Sequence, residues 1–108
     1  MKTYELTGVA LDWAVCKAKG EYQCPVDEYT AAWMTNRRYS TDRLLGGPII
    51  EREKICTTPP HADIELWEAY HPDFAQEEHY GSTPLIAAMR CYVASKLGDE
   101  VEIPEGLK

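Results

Sequence analysis

No stretch of this sequence approaches the roughly eighteen consecutive apolar residues of a membrane-spanning helix. The opening MKTYELTGVALDW also lacks the continuous apolar run of a secretory signal. Positive charge is scarce: 11 Lys and Arg stand against 18 Asp and Glu, for a formal net charge of -7. That balance disfavours general binding to nucleic acid or anionic lipid, because it opposes each approach to a phosphate. There is no Cys-x-x-Cys, no His-Glu-x-x-His and no Gly-x-Ser-x-Gly, and no Lys-Ser/Thr pair follows Gly46-Gly47. The spacing signatures of zinc sites, serine-hydrolase elbows and phosphate loops are therefore missing. No internal repeat or low-complexity linker offers a place to divide residues 1–108, which read as one domain.

What is present suits a small globular fold. A chain of 108 residues, 44% of them hydrophobic, can bury roughly two-thirds of its unfolded surface. Cys16, Cys24, Cys56 and Cys91 are even in number, but without an export signal they are expected to be reduced thiols in a cytosol. Cys16 and Cys91 fall inside helical patterns, where a free cysteine serves as a small hydrophobe.

Leu11, Ala14, Val15 and Ala18 recur at helical spacing between Thr7, a suitable N-cap, and Gly20, a suitable C′ glycine, predicting a helix over 8–19. Trp13 stands beside that stripe and is expected to be buried at its flank. VDEYTAAWM reads as a short helix or strand. In YSTDRLLGGP, Ser40 or Thr41 is positioned to cap a turn of helix over Asp42 to Leu45. Gly46-Gly47 is expected to end that turn, and Pro48 to open another short helix, PIIEREK. ICTT and IELWEAY, separated by the turn-forming PPHAD, predict an antiparallel strand pair with Trp67 in the core, and a third strand is expected around QEEHY. The strongest local signal is STPLIAAMRCYVASKLGDE: Thr83 as N-cap, Pro84 at N1, an apolar stripe from Leu85 to Leu97, and Gly98 as the stop. The tail VEIPEGL is expected to dock on that helix or extend along the surface. The fold class is thus α+β, a small antiparallel sheet packed by the N-terminal and C-terminal helices.

ELTGVALDWAVCKAKG, YSTDRLLGGPIIERE and YGSTPLIAAMRCYVASKLGDEVEIP, in this order, resemble the NinX family of lambdoid phages. A looser likeness, through ALDWAV, RRYSTD and the alanine-rich terminal helix, extends to a phage domain described as an α-β-α sandwich. The resemblance implies a phage or prophage accessory protein acting in the host cytoplasm; it carries no activity with it.

Among candidate sites, His61-Ala62-Asp63 and His71-Pro72-Asp73, with His79 nearby, invite a metal reading. Both pairs abut prolines in turn-like sequence, so they are read as surface turns and no metal is assigned. Arg37, Arg38 and Arg43 form a possible anion-holding patch. YSTD combines an aromatic face at Tyr39, hydroxyls at Ser40 and Thr41 and the acceptor Asp42, while Gly46 and Gly47 permit close backbone approach; a plain helix cap is the competing reading. Arg90, off the apolar stripe, reads as a solvent-facing or ion-paired side chain, with Asp12 as its partner if the first and last helices pack together; the alternative is that it meets the YSTD segment and a ligand anion. The expected ligand-binding set is Tyr39, Ser40, Thr41, Asp42, Gly46, Gly47 and Arg90, with no catalytic residue and no cofactor. The function expected is non-enzymatic binding of a small nucleotide-like molecule. The alternative is acidic inhibition of a host protein, by DNA mimicry in one version, with a homo-oligomer left open.

Overall fold

The structure, a computed structural model, describes residues 1–20, 34–74 and 78–107. VDEYTAAWM, apart from Met34, and Cys24 lie outside the described residues.

Helix α1 spans Gly8–Ala18 and buries Ala10, Leu11, Trp13, Ala14, Val15 and Cys16. Thr7 precedes it in extended conformation, as expected of an N-cap, but its side chain makes no cap hydrogen bond. Helix α2 spans Arg43–Glu53 as one continuous element. The expected break at Gly46-Gly47 is therefore corrected: the helix runs through both glycines and through Pro48. Gly47 has no Cβ to clash with the proline ring, which removes the usual objection to helical backbone before proline. Gly46 is buried so closely that a Cβ there would collide with the Tyr39 carbonyl oxygen and with Leu85 Cδ1. The cap is Asp42, whose side chain accepts the Leu44 amide at 2.9 Å, rather than Ser40 or Thr41.

Strands β1 (Cys56–Thr58), β2 (Trp67–Tyr70) and β3 (His79–Gly81) form an antiparallel sheet in sequential order, with Thr57 opposite Ala69 and Glu68 opposite Tyr80. PPHAD is the connection expected, closed by a bridge between His61 and Ile64. Helix α3 spans Pro84–Leu97 with Thr83 Oγ1 accepting the Ile86 amide at 3.1 Å, Pro84 in the first turn and Gly98 following in a left-handed φ of 85°.

α3 is the organising layer. Its Leu85, Ala88, Met89, Tyr92 and Val93 are all buried, worth on the order of 10 kcal/mol gross before entropy is subtracted. One side of α3 meets the three strands, and α1 and α2 pack against it from elsewhere on its circumference. Gly81 sits so close to α3 that a Cβ would lie 2.6 Å from the Ala87 nitrogen, which sets the distance between sheet and helix. Val101, Ile103 and Leu107 of the tail are buried, so the tail docks into the core. The fold is α+β, and no helix among the described residues is long and apolar enough to cross a membrane.

Candidate ligand site around Thr41

Residues 38–42 form a tight turn ahead of α2, with the amides of Thr41 and Asp42 both donating to the Arg38 carbonyl, at 3.2 and 2.8 Å. The turn is fixed to α1 by a buried charged contact: the Asp12 carboxylate accepts the Ser40 backbone amide at 2.8 Å. Burial pushes the Asp12 carboxyl above its ordinary value, while the Ser40 bond and the neighbouring Arg38 charge pull it down without cancelling the rise. The Ser40 hydroxyl lies close enough to weigh on the same carboxylate, yet it is fully buried and closes no hydrogen bond. A buried hydroxyl in that state costs free energy, so the turn is held by the Ser40 backbone and not by its side chain.

Two hollows flank the turn and share Thr41. One, of about 310 Å³, is lined by Gly8, Val9, Asp12, Met34, Thr35, Arg38 and Thr41. The other, of about 380 Å³, is lined by Ser40, Thr41, Arg43 and the first turn of α3 from Thr83 to Ile86. Each carries an exposed arginine, and each sits at the lower end of the roughly 300–1,000 Å³ range of small-molecule sites. The first also receives the start of α1, where Gly8 and Val9 have no side-chain acceptor over their amides. A helix start of that kind favours negative charge.

The residues expected to bind a ligand are divided by this geometry. Thr41 is exposed between the hollows, and Ser40 contributes to the wall of one. Tyr39 is only 4% exposed, and Lys19 Nζ lies 4.8 Å over its ring and 3.3 Å from its hydroxyl, so its aromatic face is already covered. Asp42 is engaged as the cap of α2, and Gly46 is a packing contact against Tyr39 and Leu85. Gly47 has open space around its Cα, but it lines neither hollow. Arg90 donates from Nε to the Leu6 carbonyl at 3.0 Å and from Nη1 to the Tyr80 carbonyl at 2.7 Å. Its expected pairing with Asp12 is replaced by the Asp12–Ser40 contact, and no hydrogen bond among the described residues joins it to the YSTD turn. What the sequence reading lacked was Asp12 as the anchor of the turn. The separation of Arg38 from Arg43 was equally hidden, since their adjacency in sequence suggested one patch.

His61 is tied into its own turn, with Nδ1 donating to the Pro59 carbonyl at 3.1 Å, and among the described residues no group of three His, Cys, Asp or Glu side chains is placed to hold a metal. His71 is buried, its Nδ1 accepting the Asp73 amide at 3.1 Å and its Nε2 lying 3.4 Å from Glu53.

No curated protein matches the chain. The family described as Bacteriophage P22, NinX matches residues 2–96, a span that takes in α1, the YSTD turn, the sheet and all but the last residue of α3. By that match the chain belongs to the bacteriophage P22 NinX family.

Proposed function

We propose that this phage protein acts by binding, without catalysis, a small anionic, nucleotide-like ligand on the surface around Thr41, in the host cytoplasm. The observation that carries the reading is that Thr41 is shared by two hollows, each with its own exposed arginine. A phosphate bears its charge at one end and a base offers a flat, partly apolar body at the other. The hollow beside Arg43 suits the phosphate, since its exposed guanidinium can pair with phosphate oxygens. The hollow walled by Val9 and Met34, with Arg38, Thr35 and Asp12 as polar groups, suits the base.

The test is a titration of the isotope-labelled chain with nucleoside mono- and diphosphates, followed by amide chemical shifts. Saturable shifts centred on Thr41, lost in Arg43→Ala for every phosphate-bearing ligand and kept for the free nucleoside, are expected. Native mass spectrometry of protein drawn from phage-infected cells would then identify the retained molecule. If no nucleotide perturbs residues 38–43 at millimolar concentration, the reading fails.

A further inference from the structure

Among the described residues, one buried side-chain polar atom closes no hydrogen bond: the hydroxyl oxygen of Ser40. Ser40 is 2% exposed, so it is withdrawn from solvent as well. A buried hydroxyl in this state destabilises the fold by the cost of its desolvation. Nothing structural offsets that cost, because the turn is tied to α1 through the Ser40 backbone amide, which donates to Asp12 at 2.8 Å. An alanine would keep the same bond and avoid the cost. A polar group that destabilises the empty fold is accounted for when a ligand supplies its partner.

Ser40 stands in the wall of the 380 Å³ hollow, together with Thr41, Arg43 and the first turn of α3. That first turn offers little to an anion. Pro84 has no amide proton, the Ile86 amide is taken by Thr83 Oγ1 at 3.1 Å, and the side chains of Pro84, Leu85 and Ile86 are apolar. The donors left to the hollow are side chains: the Arg43 guanidinium and the Thr41 hydroxyl, both on exposed residues, and the Ser40 hydroxyl. The first two must give up water to bind. Ser40 gives up none, and with no bond to break its hydroxyl turns freely about a single torsion between staggered positions.

We propose, resting on the small-ligand reading above, that the Ser40 hydroxyl is the buried donor to the ligand's phosphate, beside Thr41 and Arg43, and that the ligand carries a single phosphate group. The hollow is lined by one cation and by neutral hydroxyls, which suits one phosphate. A second or third phosphate brings more negative charge to a chain whose net charge is already -7, with no further cation lining the hollow. The ligand class is therefore the nucleoside monophosphates, and polyphosphates gain nothing at this site. On binding, the hydroxyl meets an oxyanion and forms a charge-assisted hydrogen bond from a group that folding has already withdrawn from water. The ligand thereby removes a cost that the empty protein carries.

The experiment titrates the full chain and its Ser40→Ala variant with adenosine and with adenosine mono-, di- and triphosphate, read by amide shifts, and compares the ligand-free thermal midpoints of the two proteins. Ser40→Ala should weaken the monophosphate roughly tenfold, the loss of one charge-assisted hydrogen bond, and leave adenosine unchanged. Its ligand-free midpoint should equal or exceed that of the wild type, since a methyl replaces an unpaired hydroxyl. In the wild type the di- and triphosphate should bind no more tightly than the monophosphate. A lowered midpoint or a failure of Ser40→Ala to fold overturns the proposal, because the hydroxyl then has a partner in the empty protein. Equal monophosphate affinity in the two proteins, or an equal loss for adenosine, overturns it as well. Affinity that climbs with each added phosphate, measured on the wild type alone, overturns the single-phosphate class. These three results leave the small-ligand reading standing, whereas the absence of any shift at residues 38–43 with all four compounds removes both.

Discussion

The Asp12 carboxylate of α1 accepts the backbone amide of Ser40 at 2.8 Å, so a charged group inside the core fixes the turn that separates the two hollows. Burial holds the folded-state pKa of Asp12 above its ordinary value of 3.8. A carboxyl raised in this way binds its proton more tightly folded than unfolded. Its contribution to stability is complete below about pH 3.8 and is lost as pH rises through the higher folded value. Asp12→Asn retains an oxygen acceptor for Ser40 and removes the titration. The stability of the wild type relative to Asp12→Asn should therefore fall as pH rises from 3 towards 7, in urea melts at about half-unit intervals. A difference that is flat, or of opposite slope, contradicts the burial assigned to this carboxyl.

Arg90 serves a structural purpose. Its guanidinium bridges the Leu6 carbonyl, just before α1, and the Tyr80 carbonyl on the free edge of β3. Its burial lowers the guanidinium pKa without taking the charge away near neutrality. Arg90→Ala should cost about 2 kcal/mol, since it strands two carbonyls that accepted charge-assisted bonds. Arg90→Lys should recover less than half, because a single ammonium cannot span both acceptors. Chemical denaturation resolves the three proteins. A loss in Arg90→Ala below about 0.5 kcal/mol, the level of an ordinary surface substitution, would remove the bridge from the list of supports.

Within α2 the two glycines and the proline pull in different directions. Gly46→Ala puts a methyl against the Tyr39 carbonyl, which is backbone and cannot swing away, and against Leu85. The expected loss is about 1–3 kcal/mol. Pro48 lies in the helix interior with no N–H to donate, so Pro48→Ala should raise stability by about 1–2 kcal/mol after the unfolded chain's added freedom is subtracted. Opposite shifts in thermal midpoint, down for Gly46→Ala and up for Pro48→Ala, are the expected pair. Two shifts of the same sign would mean that the helix does not continue through this segment.

These elements also mark where sequence was sufficient. α3 was legible because Thr83, Pro84, the apolar stripe and Gly98 agree at every level, and the structure has each in its expected role. The strand pair was legible from alternation and its turn. α2 was not, because Gly46 is kept by a tertiary fact, its close packing against Tyr39 and Leu85, and because Gly47, which eases helical backbone before Pro48, reads locally as a breaker. Local rules read the same residues as a stop. The candidate site was half legible. The hydroxyls at Ser40 and Thr41 were found, but an aromatic residue in a polar run gives no sign that Lys19, twenty residues earlier in the chain, will cover its ring.

A second carboxylate carries the opposite pH dependence. Glu53, the last residue of α2, lies 3.3 Å from Lys96 on α3 and 3.4 Å from both His71 and Arg52. Burial alone would raise its carboxyl, but the Lys96 ammonium, helped by Arg52 and His71, more than offsets this and holds it below the usual 4.5. A carboxyl lowered on folding contributes stability that is present above about pH 4.5 and is lost as pH falls through the folded value. Glu53→Gln should therefore match the wild type in strong acid, fall behind it as pH rises through the folded value, and stay behind by a constant margin above about pH 4.5, reversing the trend expected for Asp12→Asn. His71 makes the contact directional: its Nδ1 accepts the Asp73 amide, so Nε2 bears the proton that faces Glu53 in the neutral ring. Denaturation of the two variants across the same pH series separates the terms. If both differences slope the same way, one of the two environments has been assigned the wrong dominant force.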